Sequence, residues 1–173
     1  MEVSKRDAAN RQLNEAIHLF FEQRDPVAIH TLIGSASLIL SDLVEANNPE
    51  KSWDKSAQQD NELDKKSYYK IMRKTQNFIK HANSDPDETL SFDVTEAPAL
   101  AMFSILNNGE LGGMLSREQP FFQLWYLAVH YKNLEWDGSD IPNALSMFGD
   151  LSKLTMKKQI SHGKKVWEQC NAS

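Results

Sequence analysis

The sequence predicts an all-α protein, organised as a single-domain helical bundle of about six to seven helices. The helix-favouring residues Leu, Ala and Met number 38 of the 173 residues, whereas the β-branched residues Val, Ile and Thr number 20. Apolar residues recur at spacings of three and four, and no stretch alternates polar and apolar residues as a half-buried strand does. The length is ordinary for one domain, so residues 1–173 are expected to form a single all-α domain.

The first two helices are predicted to form a helical hairpin. The first should run from Asp7 to Arg24, because apolar residues recur there on one helical face. Asp25 is a good N-cap and Pro26 a good first residue for the second helix. The residues expected to form the buried stripe of this second helix are Ile29, Leu32, Ile33, Ala36, Leu40 and Leu43.

The middle of the chain is predicted to contain a loop followed by a third helix. Residues 46–64 are rich in Asn, Asp and Gln, which indicates a long mobile loop. The third helix is expected from Lys65 to Ala82, and the turn around Pro86 ends it. The residues expected on the core face of this helix are Tyr68, Ile71, Met72, Thr75, Phe78, Ile79 and Ala82.

Four further helices are predicted in the second half of the chain. They are expected at residues 96–108, 119–131, 143–151 and 153–169. A glycine-rich break at Gly109, Gly112 and Gly113 separates the first two of them. The helix over 119–131 is apolar on almost all sides, so we expect it at the centre of the bundle with Leu124 and Trp125 buried.

The composition argues against several classes of protein. Cys170 is the single cysteine, so the chain forms neither an intramolecular disulfide nor a thiolate zinc site. The segment 1–7 is too charged for a signal peptide, and the longest apolar run, 121–129, is far too short to cross a membrane. We therefore expect a cytoplasmic protein with no membrane segment and no cofactor.

A metal site is a weaker alternative. Three histidines lie on predicted core helices and would have to converge to bind a metal ion; they are His18, His30 and His130. A hydrogen-bonded core histidine is the commoner role for such residues, so the sequence predicts no metal site.

Charge is unevenly distributed along a chain whose net charge is −5. Residues 65–84 contain six bases and no acid, and residues 151–173 contain five bases and one acid. The acids are concentrated elsewhere, with 12 in residues 1–64 and 11 in residues 85–150. An acidic protein therefore contains two basic helices.

The third helix concentrates its positive charge on one face. At about 100° per residue, seven polar residues fall within an arc of about 120°, opposite the core face. This basic stripe consists of Lys66, Lys70, Arg73, Lys74, Asn77, Lys80 and His81. A solvated surface, or pairing with the acidic remainder of the chain, is the ordinary role of such a stripe. An ordinary surface helix mixes both signs of charge, however, so the segregation favours a polyanionic partner such as RNA.

The end of the third helix also resembles known proteins, in the residues Gln76-Asn-Phe-Ile-Lys-His81 and Ala82-Asn-Ser-Asp-Pro-Asp87. They are similar to the RNFFKHADRDPD segment of a group of small bacterial helical proteins and to the arginine-to-histidine motif of the HEPN superfamily. Members of that superfamily are helical-bundle dimers, and many are metal-independent endoribonucleases. The resemblance therefore implies a homodimer that acts on RNA. Gln76 occupies the position of the motif arginine, which implies an inactive or purely RNA-binding member unless Arg73, one turn earlier, replaces it.

Metal-independent RNA cleavage needs proton transfer and fixed positive charge at the phosphate. The candidate catalytic residues are His81 as acid or base, Asn77 to orient the phosphate and Arg73 to supply charge. The candidate RNA-binding residues are Lys66, Lys70, Lys74 and Lys80. A second hypothesis is a non-catalytic helical interaction module, resembling an antitoxin or adaptor, whose basic stripe binds an acidic cognate protein.

Overall fold

The computed structural model describes residues 1–83, 86–134 and 140–172, and within these ranges the protein contains helices and no strands. The all-α prediction is therefore confirmed. The helices are α1 (Lys5–Phe21), α2 (Pro26–Asn47), α3 (Trp53–Asp60), α4 (Lys65–Met72), α5 (Lys74–Lys80), α6 (Glu96–Glu110), α7 (Glu118–His130), α8 (Asp140–Phe148) and α9 (Met156–Asn171). Short 3₁₀ turns occur at Pro49–Lys51 and Tyr131–Asn133. These nine α-helices of the described ranges exceed the six to seven expected, because α3 forms where the sequence predicted a loop and the predicted third helix is divided into α4 and α5.

The α1–α2 hairpin forms as predicted, with caps that the sequence encodes. Ser4 and Asp7 form a capping box at the start of α1. The Asp25 carboxylate accepts a hydrogen bond from the backbone N–H of Ala28 at 3.0 Å, and Pro26 is the first residue of α2. α1 ends at Phe21, three residues before the predicted end.

α2 is a central helix that packs against both α1 and α6. Four of its six predicted stripe residues are buried, whereas Leu32 and Leu43 are half-buried. With 22 residues and few charges, α2 is long and apolar enough to cross a membrane, and 44% of its apolar window is buried inside the bundle. By length and composition alone, α2 therefore departs from the expectation that no segment is long enough to cross a membrane, although in the bundle it packs against α1 and α6.

An aromatic cluster joins α1, α7 and α9. The rings of Phe20, Phe21 and Trp125 pack edge to face, with centroids between 5.1 and 5.6 Å apart. The Trp125 indole N–H donates to the Gln159 carbonyl of α9 at 3.0 Å. Trp125 is buried as predicted, but Leu124 is only half-buried, because α7 is covered incompletely on that side.

Residues 46–64 contain the helix α3 where the sequence predicted a loop. Ser52 caps this helix through the Lys55 backbone N–H. The Asp54 carboxylate, which is buried, accepts hydrogen bonds from the Tyr68 hydroxyl at 2.9 Å and from the Asn107 amide at 2.8 Å. The segment looked like a loop because its sequence is polar, but its polar groups find buried partners on α4 and α6.

The predicted third helix is broken at Arg73 into α4 and α5. Arg73 has φ −101° and ψ 3°, outside the helical range, although its backbone N–H still bonds to the Tyr69 carbonyl. Ile71, predicted to face the core, is 62% exposed, whereas Gln76 is buried. α5 ends at Lys80, so the predicted helix to Ala82 is two residues too long.

Candidate nucleic-acid interface

A broad cleft of about 860 Å³ lies beside α4 and α5 and is closed on its other side by residues 88–91. Its polar lining residues are Lys70, Lys74, Asn77, His81, Asn83, Glu88, Thr89 and Ser91. Phe78 and Leu90, both half-buried, provide apolar wall. This surface, called the basic cleft below, has the size of a small-molecule or nucleotide-binding site.

The basic cleft brings together four of the seven residues that the sequence proposed as a site. Lys70, Lys74, Asn77 and His81 line it, and all four are exposed. His81 lies just after α5 with extended backbone, at φ −132° and ψ 128°, and its N–H bonds to the Asn77 carbonyl at 3.0 Å. Their neighbours Lys66 and Lys80 are exposed but do not line the cleft.

Arg73 is not part of the basic cleft. Its guanidinium stacks on the Tyr69 ring, with Cζ 4.0 Å from the ring centroid, and lies 4.0 Å from the Asp42 carboxylate of α2. Together with Tyr69 and Gln76, Arg73 lines a separate cavity of only about 20 Å³ beside α2. The structure therefore does not bring the Arg73 guanidinium into the cleft with Asn77 and His81, because the guanidinium is held at the Tyr69 ring and near Asp42. The Arg73 backbone carbonyl still accepts a hydrogen bond from the Asn77 N–H at 2.8 Å.

Gln76, at the position of the motif arginine, also lies outside the basic cleft and lines the small cavity beside α2. Only 2% of it is exposed, and its amide nitrogen is 3.4 Å from the Thr31 carbonyl of α2, a weak hydrogen bond. A Cβ atom on Gly34 would overlap the Gln76 side chain, so α2 and α5 are in close contact here. On a helical wheel of residues 65–82, Gln76 falls at the edge between the polar and core faces, whereas the structure buries it in the core.

A buried histidine fixes α5 against α2 and α6. His30 is 1% exposed, and its Nε2 lies 3.5 Å from the Glu96 carboxylate, which also accepts a 2.6 Å hydrogen bond from the Thr75 hydroxyl. Burial lowers the pKa of His30, and the nearby Glu96 charge and the Gln76 side chain oppose this effect. The sequence did not reveal this arrangement, because its three partners are distant in the chain.

The cleft lysines, like most lysines of the described ranges, have no carboxylate within ion-pair distance. Within residues 1–83, 86–134 and 140–172, neither Lys70 nor Lys74 forms an ion pair, and the same holds for Lys66 and Lys80. The lysines that pair with carboxylates are Lys51, Lys55, Lys65, Lys132 and Lys164. Glu88 is the acidic residue that lines the cleft. The positive charge of the stripe is therefore left available to an external anion.

The histidines considered as metal ligands lie apart from one another. His18 faces Glu118 at 3.3 Å, His30 faces Glu96, and the His130 ring packs on Tyr126 with centroids 4.3 Å apart. Among the described residues no group of three or more His, Cys, Asp or Glu side chains could hold a metal ion.

Comparisons with protein-family models, with curated proteins and with solved structures find no match for the chain.

Proposed function

We propose that this protein binds RNA through the basic cleft, with Lys70 and Lys74 contacting phosphates. The observation that carries the proposal is that two lysines without carboxylate partners in the described chain, an amide and an imidazole line one cleft. Lysines that neutralise phosphates release condensed counterions, which supplies most of the affinity for a nucleic-acid backbone. Phe78 offers an apolar surface beside these cations, and a base can stack on such a surface.

The site supports RNA binding better than RNA cleavage. Cleavage without metal needs a fixed cation at the phosphate and two proton-transfer groups. The Arg73 guanidinium is held on the Tyr69 ring, and Gln76, which stands where the motif has its arginine, is a buried amide. No guanidinium therefore comes from either position to lie beside His81. One chain contributes one cleft imidazole. We therefore propose a HEPN-like, catalytically degenerate RNA-binding protein, and a homodimer remains part of this proposal, since two copies would double the phosphate contacts.

Binding can be measured by fluorescence anisotropy with a labelled single-stranded RNA at about 50 and 200 mM salt. We expect the double variant Lys70→Gln, Lys74→Gln to bind about tenfold more weakly and its salt slope to fall by about 1.4. The matched control is Lys158→Gln, Lys165→Gln, which removes two exposed lysines from α9 and should retain most of the affinity. Equal losses in the two variants would indicate non-specific attraction and contradict the proposal.

A variant at His81 distinguishes RNA binding from RNA cleavage. Because the site lacks a guanidinium beside His81, we expect the wild type to leave RNA intact in EDTA, and His81→Ala to bind RNA nearly as well as the wild type. Metal-independent cleavage by the wild type that is lost in His81→Ala would instead establish a ribonuclease.

The burial of Gln76 also fits the alternative function, a non-catalytic interaction module that binds an acidic protein. Polyglutamate is a suitable probe, since it offers carboxylates without phosphate or bases. If polyglutamate binds the basic cleft and RNA does not bind there, the alternative is correct and the RNA proposal is wrong.

A further inference from the structure

A second concave surface lies where α1, α2, α6 and α9 meet, and it shares no lining residue with the basic cleft. Its volume is about 290 Å³. Phe20, Ile29, Ala97 and Ile160 form its floor, and all four are buried. We call it the apolar pocket, because these side chains come from four different helices and expose hydrocarbon to one small space.

Two cations stand at the rim of the apolar pocket. Arg24 follows the end of α1, and Lys157 lies in the first turn of α9; both are exposed. Within the described residues neither forms an ion pair, and no acid lines the pocket. The Gln23 amide donates to the Ser161 hydroxyl at 3.1 Å, which joins α1 to α9 at this rim.

This combination defines a chemical class of ligand. An apolar floor stabilises a hydrocarbon body through burial, and cations at the mouth attract an anionic head group. A water-sized group occupies about 30 Å³, so the pocket accommodates roughly eight to ten carbon-sized groups. A longer chain would extend into solvent, where burial no longer stabilises it.

We propose that the apolar pocket binds a small amphipathic carboxylate, such as a fatty acid of about eight to ten carbons. The hydrocarbon chain contacts Phe20, Ile29 and Ile160, and the carboxylate faces Arg24 and Lys157. The proposal is independent of RNA binding, because the two sites use different residues.

Isothermal titration calorimetry with decanoate, kept below its micelle concentration, tests the proposal directly. We expect decanoate to bind the wild type at least about tenfold more tightly than decylammonium, which has the same chain and the opposite charge. The double variant Arg24→Glu, Lys157→Glu should lose this preference, while the control Lys158→Glu, which changes an exposed lysine outside the pocket, should keep it.

A second variant tests the apolar floor without altering any charge. Ala97→Leu fills part of the pocket, so decanoate affinity should fall about tenfold while circular dichroism shows a folded protein. The proposal is wrong if wild type does not bind decanoate, or if Ala97→Leu binds it as well as wild type, which would indicate surface adsorption. Binding of an acidic amphipathic peptide without binding of decanoate would also overturn it and identify a protein-docking groove.

Discussion

Gln76 occupies a position where a positive charge is costly. Its side chain is almost fully buried between α2 and α5, in contact with Gly34. We therefore expect Gln76→Arg, which restores the arginine of the HEPN-like motif, to lower the free energy of unfolding by about 3 to 5 kcal/mol, since an unpaired charge would be buried. Urea denaturation followed by circular dichroism measures the loss.

Ile71→Arg is the matched control, because it places the same side chain on the exposed face of α4. Surface changes of this kind rarely exceed about 0.5 kcal/mol. If Gln76→Arg were as stable as Ile71→Arg, the arginine would reach solvent, and the edge position that the helical wheel gives Gln76 would be the correct one.

His30 makes stability depend on pH. Because burial lowers its pKa, the folded protein keeps His30 neutral at a pH where the unfolded chain, with a histidine pKa of about 6.5, binds a proton. The unfolded state thus binds more protons below about pH 6.5, and the free energy of unfolding falls as the pH drops through this range. Burial lowers the pKa of His130 as well, which acts in the same direction.

Urea denaturation at about pH 7.5 and 5.5 measures the difference for each variant, and linkage gives its sign. We expect His30→Gln to reduce the loss of stability between the two pH values, and His30→Gln combined with His130→Gln to reduce it further. Glu96 is the charged group that faces His30, and it remains in both variants. An unchanged loss in the double variant would show that other groups cause the pH dependence.

At the scale of elements, α3 depends on a buried polar cluster. The Asp54 carboxylate joins α3 to the Tyr68 hydroxyl of α4 and the Asn107 amide of α6. Burial is also the main cause that raises the pKa of Tyr68, so its hydroxyl keeps the proton it donates to Asp54. Both partners lose an acceptor when the carboxylate is removed, and a buried polar group without a partner is costly.

Asp54→Ala is therefore expected to lower the free energy of unfolding by about 2 to 4 kcal/mol. The control Asp60→Ala, at the exposed end of the same helix, should change it little. Urea denaturation compares the two variants, and hydrogen exchange of α3 and α4 shows whether the loss is local. Equal stabilities would mean that α3 stays in place without its buried hydrogen bonds.

The elements that the sequence predicted well are those with local signals. The Asp25 cap, Pro26 and the apolar spacing of α2 lie within a few residues of one another, and α7 is apolar on most sides. α3 was missed because Asp54 and Asn107, whose contact buries it, are 53 residues apart. A polar segment without local partners is indistinguishable from a loop until its distant partners are known.

The candidate site shows the same division. The cations Lys70 and Lys74 could be placed on one face from spacing alone, and the structure finds them in one cleft. Arg73 and Gln76 could not be placed, because a helical wheel assumes one straight helix and the chain breaks at Arg73. The burial of Gln76 follows from its contact with α2, which the spacing does not encode. Arg73 stacks on Tyr69 of its own segment and lies near Asp42 of α2, and that second contact is also absent from the spacing.

At the scale of the whole molecule, two interfaces join distant parts of the described chain, in addition to the packing of α2 against α1 and α6. A polar one joins α1, α6 and α7, where the Asn108 amide donates to Asn10 and to Gln119 at 2.7 Å, and Arg6 donates to Asn108 at 2.9 Å. An aromatic one joins α1, α7 and α9 around Trp125. Both interfaces connect the first helix to the second half of the chain, so we expect the described helices to unfold together.

Gly163 tests whether α9 is part of this cooperative unit. A Cβ atom at this position of α9 would lie 2.9 Å from the Trp125 ring and would overlap the Phe21 ring. Alanine favours helix by up to about 1 kcal/mol, but overpacking an aromatic core costs about 1 to 3 kcal/mol. We therefore expect Gly163→Ala to lower the free energy of unfolding, with circular dichroism and tryptophan fluorescence changing at the same urea concentration.

Gly109→Ala is expected to have the opposite effect on the free energy of unfolding. Gly109 is exposed near the end of α6, and an added Cβ would meet no atom within 4 Å, so only the helix preference of alanine acts and stability should rise by about 0.5 kcal/mol. If the free energy of unfolding rose in both Gly163→Ala and Gly109→Ala, α9 would be able to move away from Trp125 and Phe21 without loss of stability. A fluorescence transition that precedes the dichroism transition in Gly163→Ala would show that α9 detaches before the bundle unfolds, so closure by α9 would be separable from the rest of the core.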